Sequence, residues 1–363
     1  MAEHKKQGEA LTSLDALYDS GVLRRDEACH KDMHALSQRY ALRLTSDVAS
    51  RIKEGVAALR RQYVPDIAER QEQEGESCDP IGDKAHSPVK GVIHRYPDRV
   101  LLMPTSACAV YCRFCFRKAW VGGGGQDGGM TIEDLRRAYA YIEGDKRIFE
   151  VILSGGDPLM LSVRRLGSLL RRVHAISHVG IMRIHSRVLL SDMARLSDDH
   201  MALFASLDKP LYMVVHCNHA QEFTQTHRAV CKRLLRAGVV LLGQSVLLRG
   251  INDTPQALTA LFRAMLCHHI KPYYLHQLDY AQGTGHFRVP LKKGLRLVSS
   301  LRGWISGLCQ PHHMVEIAGG YGKVPLCEPC HRCAGLPSDD DMEDNVAPYR
   351  LRDYRGQWHD YRG

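Results

Sequence analysis

Residues 99–115 read RVLLMPTSACAVYCRFC. The run Val100-Leu101-Leu102-Met103-Pro104 is short and apolar, as a buried strand is. Three cysteines follow it, Cys108, Cys112 and Cys115, spaced C-x3-C-x2-C. Three thiolates on one loop can hold three corners of a [4Fe–4S] cluster and leave the fourth iron without a protein ligand. An open iron is a place for a small chelating molecule. The alternatives are a zinc knuckle or three unrelated buried thiols. Zinc takes four ligands in structural sites, usually from paired C-x2-C units. The spacing here, with Phe114 inside it and a strand before it, favours the cluster.

A chain of 363 residues can bury a large core, as one α/β barrel or as two ordinary domains. Its 44% hydrophobic and 25% charged content is that of a globular protein. There are twelve cysteines, clustered as C-x3-C-x2-C and again as C-x2-C-x2-C. In a chain of this length that argues for metal or cluster chemistry in a reducing compartment rather than a disulfide framework, so a cytoplasmic location is expected. The first residues, MAEHKKQGEA, lack an apolar segment, and no signal peptide is expected. No run of about 18 apolar residues offers a membrane span. The net charge of +9 is scattered through helices, not gathered in a stripe, so no nucleic-acid partner is needed to explain it.

Three regions separate along the chain. Residues 1–90 have helical spacing, as in Leu11, Leu14, Leu17 and then Ala41, Leu42, Val48, Ile52, Val56, Leu59. They predict a helical cap without chemistry of its own. In residues 91–317, apolar runs at 99–104, 149–153, 179–184, 211–216, 239–246 and 272–277 alternate with amphipathic segments. One of these opens on Thr131 and Asp134, placed as a capping box. Six such alternations predict an α/β fold, a partial (β/α)6 TIM-like barrel with a parallel sheet, whose chemistry gathers at the C-terminal strand ends. Residues 318–363 carry a glycine-rich loop with Lys323, the cysteines Cys327, Cys330 and Cys333, an acidic run from Asp339 to Asp344 expected to be solvated, and a tail strand at 349–356.

The cysteine loop resembles the signature of the radical S-adenosylmethionine (SAM) superfamily, in which SAM chelates the open iron. The similarity narrows with HRYPDRVL at 94–101, CRFCFRK at 112–118, SGGDP at 154–158 and VLLRGIND at 246–253. LDYAQGTGHFR at 278–288 and the loop ending in Lys323 complete it. Together these resemble the lysine 2,3-aminomutase family, over roughly residues 80–356. The resemblance implies a radical SAM fold and pyridoxal 5′-phosphate (PLP) as a further cofactor. It also implies an electron donor such as flavodoxin or ferredoxin, and a homo-oligomer. The reaction it implies is a 2,3-amino shift on an amino acid, started by a 5′-deoxyadenosyl radical.

Roles follow residue by residue from that resemblance. Lys323 is expected to form the Schiff base with PLP, and Arg95 and Arg99 to hold its phosphate. Arg117 is expected at the substrate carboxylate, where a guanidinium fork fits. Ser154, Gly155, Gly156 and Asp157 correspond to the segment that receives the amino group of SAM. His216 and Gln244 face the barrel mouth if strand alternation holds, and join the SAM site as secondary candidates. Asp279 and Glu316 match carboxylates that hold the distal ammonium of lysine in relatives, since a buried ammonium must be paired.

Two departures stand out. A glutamate replaces the aspartate of the clostridial-type enzymes at position 316, as in the relatives that make β-lysine for elongation factor P. Thr254 stands where some members carry a cysteine for an inter-subunit zinc, so that site is not carried over. Cys327, Cys330 and Cys333 are candidates for a second metal, zinc or an auxiliary cluster, with Cys309, His312 or His313 as a fourth ligand. The reading is thus lysine to β-lysine. The alternatives are arginine or another amino acid, a radical SAM enzyme without PLP, and an electron-transfer module.

Overall fold

The computed structural model describes residues 9–24, 27–122, 129–326, 331–332, 349–352 and 358–361. Helices α1 (Leu14–Asp19), α2 (Glu27–Arg39), α3 (Ser46–Lys53) and α4 (Ala57–Tyr63) come first. Ser13 and Thr45 accept hydrogen bonds from the amides of Ala16 and Val48, satisfying first-turn donors that the helix itself leaves open. Leu14, Leu17, Val48, Ile52 and Leu59 share one apolar cluster with Val110 and Cys112. The helical segment therefore packs directly on the cysteine loop.

Nine strands form one sheet in chain order. They are β1 (Val92–Tyr96), β2 (Arg99–Thr105), β3 (Glu150–Gly155), β4 (Ile181–Ser186), β5 (Leu211–His216), β6 (Val239–Val246), β7 (Lys271–His276), β8 (His312–Ile317) and β9 (Gly322–Pro325). From β2 to β8 every pairing is parallel, while β1 and β9 run antiparallel to their neighbours. Helices α5 (Ile132–Gly144), α6 (Val163–His174), α7 (Val188–Ser191), α8 (Asp198–Ala205), α9 (Gln225–Arg236), α10 (Pro255–Cys267) and α11 (Leu291–Leu301) fill the crossovers. The capping box at α5 forms as read, with Thr131 and Asp134 exchanging hydrogen bonds.

Strand alternation sorts the side chains. Met182 and Ile184 of β4 and Val239 and Leu241 of β6 join Leu166, Leu170 and Leu234 of the helices in the main core. Each such buried side chain stabilises the fold by about 1.5–3 kcal/mol. Their alternates Arg183, His185, Leu242 and Gln244 are only partly covered and line the barrel interior. The sheet's two edges approach each other. The Lys323 amide of β9 donates to the hydroxyl of Tyr96 on β1 at 2.6 Å, and Arg95 of β1 pairs with Glu316 of β8. Gly322 makes this approach feasible: its φ is +95°, and a Cβ there would lie 2.9 Å from the Tyr96 hydroxyl. The barrel is nearly closed, by side chains where the backbone ladder stops.

All six strands expected from the sequence are present. The parallel part has a seventh, β8, and Lys323 stands on strand β9 instead of in a flexible loop. Asp279 lies beyond the end of β7. A separate small sheet pairs β10 (His331–Arg332), β11 (Tyr349–Arg352) and β12 (Trp358–Tyr361). Cys327, Cys330, Cys333 and the acidic run lie outside the described residues. No described helix is long and apolar enough to cross a membrane.

Candidate active site

The cysteine loop leaves the C-terminal end of β2 and is held from two sides. From below, the turn after β3 packs against it. The amide of Gly156 donates to the Thr105 carbonyl at 2.7 Å and that of Asp157 to the Ala107 carbonyl at 2.8 Å. A Cβ on Gly156 would come within 2.3 Å of the Ala107 carbonyl oxygen, so only glycine lets the two backbones meet. From the N-terminal side, Glu69 is fully buried and receives Arg113 through Nε at 2.8 Å and Lys118 through Nζ at 2.9 Å. Burial works against ionisation of Glu69. The two cations beside it outweigh that and hold its carboxyl at about 2.

Cys108, Cys112 and Cys115 are partly exposed and close enough to influence one another's ionisation. Burial pushes all three thiols up, Cys112 to about 11 in spite of the nearby Arg187. Thiols in such a hollow remain neutral without a metal to take the place of their protons. Among the described residues no group of three His, Cys, Asp or Glu side chains is gathered to hold one metal ion. Three thiols on one loop, with the Arg187 guanidinium beside Cys112, fit a cluster with one open corner.

In the SGGDP segment the Asp157 side chain is engaged by the protein itself. The Asp157 carboxylate accepts hydrogen bonds from the amides of Leu159, Arg187 and Val188, at 3.0, 2.7 and 3.2 Å, and from the Ser186 hydroxyl at 2.9 Å. It is committed to fixing the end of β4, which leaves the strand-end backbone of Ser154–Gly156 as the part available to a ligand. His216 ends β5 beside Gln244 of β6, packs edge-on to Phe114 at 5.6 Å, and keeps a buried Nε2 without a partner. Sequence reading missed His185 on β4 and His276 on β7, which share that interior. Burial, then the cations Arg183 and Lys323, holds the His185 ring well below its usual range. Burial, then Lys323, lowers His276 to about 3. Both are neutral donors or acceptors here, not cations. Their place at interior positions of IMRIHS and KPYYLH was the available signal.

Lys323 Nζ meets Glu316 Oε2 at 2.9 Å. The other oxygen of Glu316 receives Arg95, whose Nη2 reaches Asp83 Oδ1 at 3.1 Å and the Ile81 carbonyl at 2.6 Å. Asp83 Oδ2 in turn receives Arg117 through Nε at 2.9 Å and Nη2 at 2.7 Å. Lys323, Glu316, Arg95, Asp83 and Arg117 thus form one chain of alternating charge that ends two residues past Cys115. Asp83, which the sequence reading did not select, is the member that links its two arginines. Arg99 lies outside the chain. It pairs with Asp98 at 2.7 Å, stacks over Tyr96 at 3.9 Å and stays about one-third exposed. Asp279 faces this chain but has no hydrogen-bond or ion-pair partner among the described residues. Burial, then Glu316, raises its carboxyl to about 7, against the opposing pull of Lys323 and Arg117.

A family model described as a 4Fe-4S single cluster domain matches residues 98–219. L-lysine 2,3-aminomutase of Escherichia coli is 36% identical over 289 residues, which is 79% of this chain and 83% of that protein. This chain belongs to the lysine 2,3-aminomutase family. L-lysine 2,3-aminomutase of Fusobacterium nucleatum is 37% identical over 74% of this chain, and the match spans only 62% of that relative's length. A radical SAM methyltransferase from Sphaerobacter thermophilus overlays loosely, with a TM-score of 0.44 at 17% identity, over 62% of this chain and 67% of that one. At the position where some aminomutases of the family carry a zinc cysteine, the Thr254 hydroxyl caps α10 by accepting from the Ala257 amide at 3.2 Å. Of the candidate fourth ligands for a second metal, Cys309 and His313 are buried and His312 is exposed.

Proposed function

We propose that the chain is a radical SAM, PLP-dependent 2,3-aminomutase acting on L-lysine to give β-lysine. The observation that carries this reading is that the cysteine loop and Lys323 meet at one barrel mouth, joined by an unbroken ion chain with an unpaired acid beside it. When bound, a [4Fe–4S] cluster with SAM supplies a 5′-deoxyadenosyl radical, fed by an external one-electron donor such as flavodoxin or ferredoxin, and PLP supplies the carbonyl carbon that carries the migrating nitrogen.

The chain's own residues do the rest. Cys108, Cys112 and Cys115 hold the cluster. His216, Gln244 and the Ser154–Gly156 backbone line the place for SAM. Lys323 offers its amine, and Arg95 and Arg99 serve the phosphate, for which Arg95 exchanges Glu316 as its partner. Arg117 holds the substrate carboxylate. Asp279 takes the distal ammonium, because a buried carboxylate raised by burial regains its charge when a cation arrives. Glu316, released by Arg95 and Lys323 as these turn to the cofactor, joins Asp279 at that ammonium.

Substrate choice tests the reading. Wild-type enzyme is expected to turn over lysine in preference to arginine, and both in preference to glutamate or alanine. Asp279→Asn should lower kcat/KM for lysine roughly 30-fold or more, the effect of about 2 kcal/mol from a lost charge-assisted contact. The pH profile gives a second check. Asp279 is neutral below about 7 and ionised above it, with Glu316, Lys323, Arg117 and Asp83 as the charges facing it. Because kcat/KM reports groups of the free enzyme, its value for lysine should climb through about pH 7 and level off above. Asp279→Asn should lose that climb. Faster turnover of glutamate than of lysine by the wild type contradicts the assignment.

A further inference from the structure

Asp83 sits in the segment before β1, is 1% exposed, and accepts three guanidinium N–H groups from two arginines. Its own backbone is anchored. The Asp83 amide donates to Asp79 Oδ1 at 2.8 Å and the Lys84 amide to Asp79 Oδ2 at 3.0 Å. The way it takes Arg117 matters. Nε and Nη2 both point at the single oxygen Oδ2, so the side edge of the guanidinium is occupied. Nη1 has no partner among the described residues, and the second hydrogen of Nη2 is also unused. A guanidinium carries five N–H groups in a fixed plane. With one edge fixed by Asp83, the end edge, formed by Nη1 and Nη2, is the one left to grip a carboxylate with two parallel hydrogen bonds.

We propose that Asp83 is a positioning residue for the substrate carboxylate: it turns the end edge of Arg117 into the barrel and stops the side chain from collapsing onto Asp279. This rests on the reading of Arg117 as the carboxylate ligand of an α-amino acid. Asp83 also reaches Arg95, so one buried carboxylate sets the arginines at both the substrate and the phosphate ends. Among the described residues the other polar contacts of Arg95 are Ile81 and Glu316, both on other segments, and Arg117 has besides Asp83 only the ring of Phe116, 4.5 Å away. The segment that carries Asp79 and Asp83 is therefore part of the site, although it holds no catalytic group.

The test uses reconstituted holoenzyme with Asp83→Asn, which keeps the shape and removes the charge. KM for lysine should rise roughly ten- to hundredfold, the range for a misplaced charge-assisted contact, with a much smaller change in kcat. Inhibition by 1,5-diaminopentane, which has both amines and no carboxylate, should stay at the wild-type level. An equal loss for both compounds, or an unchanged KM for lysine, overturns the proposal. If Asp83→Asn lowers iron or PLP content, Asp79→Ala, which loosens only the Asp83 anchor, takes its place, with the same expected split. A crystal structure of Asp83→Asn without substrate reads the positioning directly. Arg117 displaced from its present rotamer supports the proposal, and Arg117 unmoved overturns it. Should wild-type enzyme ignore lysine while Arg117 is displaced in the variant, the substrate reading fails and the positioning role stands.

Discussion

Replacing Cys108, Cys112 and Cys115 together with alanine should abolish reductive cleavage of SAM. The loop is pinned by Glu69 to Arg113 and Lys118 and by the Gly156 backbone beneath it, so neighbouring residues cannot swing in as substitute ligands. Cys217, the next buried cysteine along the barrel, hydrogen-bonds within its own strand end and shares the main apolar core. The expected result is loss of iron and sulfide from the purified protein, loss of the broad cluster absorbance, and no 5′-deoxyadenosine under reducing conditions. Folding should survive, because the apolar cluster around Val110 and the helices does not need the thiolates. Deoxyadenosine formed at the wild-type rate by the triple variant is the result that removes the cluster assignment.

The second large effect falls on Lys323. Lys323→Ala should leave cluster content and uncoupled SAM cleavage intact and take turnover to background. The absorbance of the lysine-linked cofactor should vanish with it. Borohydride reduction of the wild type should fix a pyridoxyl group on the single peptide that contains Lys323. The structural reason is reach: β9 carries Lys323 to the closing seam of the barrel, where its amide is held by Tyr96 and its amine by Glu316. Label recovered on another lysine, or full turnover by Lys323→Ala, rejects the role.

The barrel was legible because β2 to β7 coincide with apolar runs, with alternating burial in β2, β4 and β6, and each lay within two residues of its expected place. Strand β8, HHMVEI, was not. It starts with two histidines and faces the charged seam with Glu316, so its pattern carries no apolar run to read. Lys323 looked like a loop residue because three glycines precede it. Those glycines serve a turn and the close approach to Tyr96, after which the chain resumes pairing. The cysteine loop was read from its spacing, while the roles given to Lys323, Arg95 and Arg99 came only through resemblance. What ties them together was not legible, because it depends on partners far apart in sequence. Arg95 meets Glu316 across 221 residues and Arg117 meets Asp83 across 34. A buried carboxylate such as Asp83 or Glu69 leaves no periodic trace; its partners become visible only when the strands bring the cations to it. Asp157 shows the converse. Its motif marks it for a ligand, and the fold uses its carboxylate to cap the β4 end.

The measurement that decides between an aminomutase and any other radical SAM activity is the fate of the substrate nitrogen. Reconstituted, reduced enzyme with SAM and PLP would be given L-lysine labelled with 15N at the α-amino group, in the presence of unlabelled ammonium, and the products followed by NMR. The prediction is β-lysine with the label intact at C3, with none exchanged for the unlabelled pool and SAM not consumed in step with product. Deoxyadenosine released in step with SAM loss while the label stays at C2, or a methylated or sulfur-containing product, contradicts it.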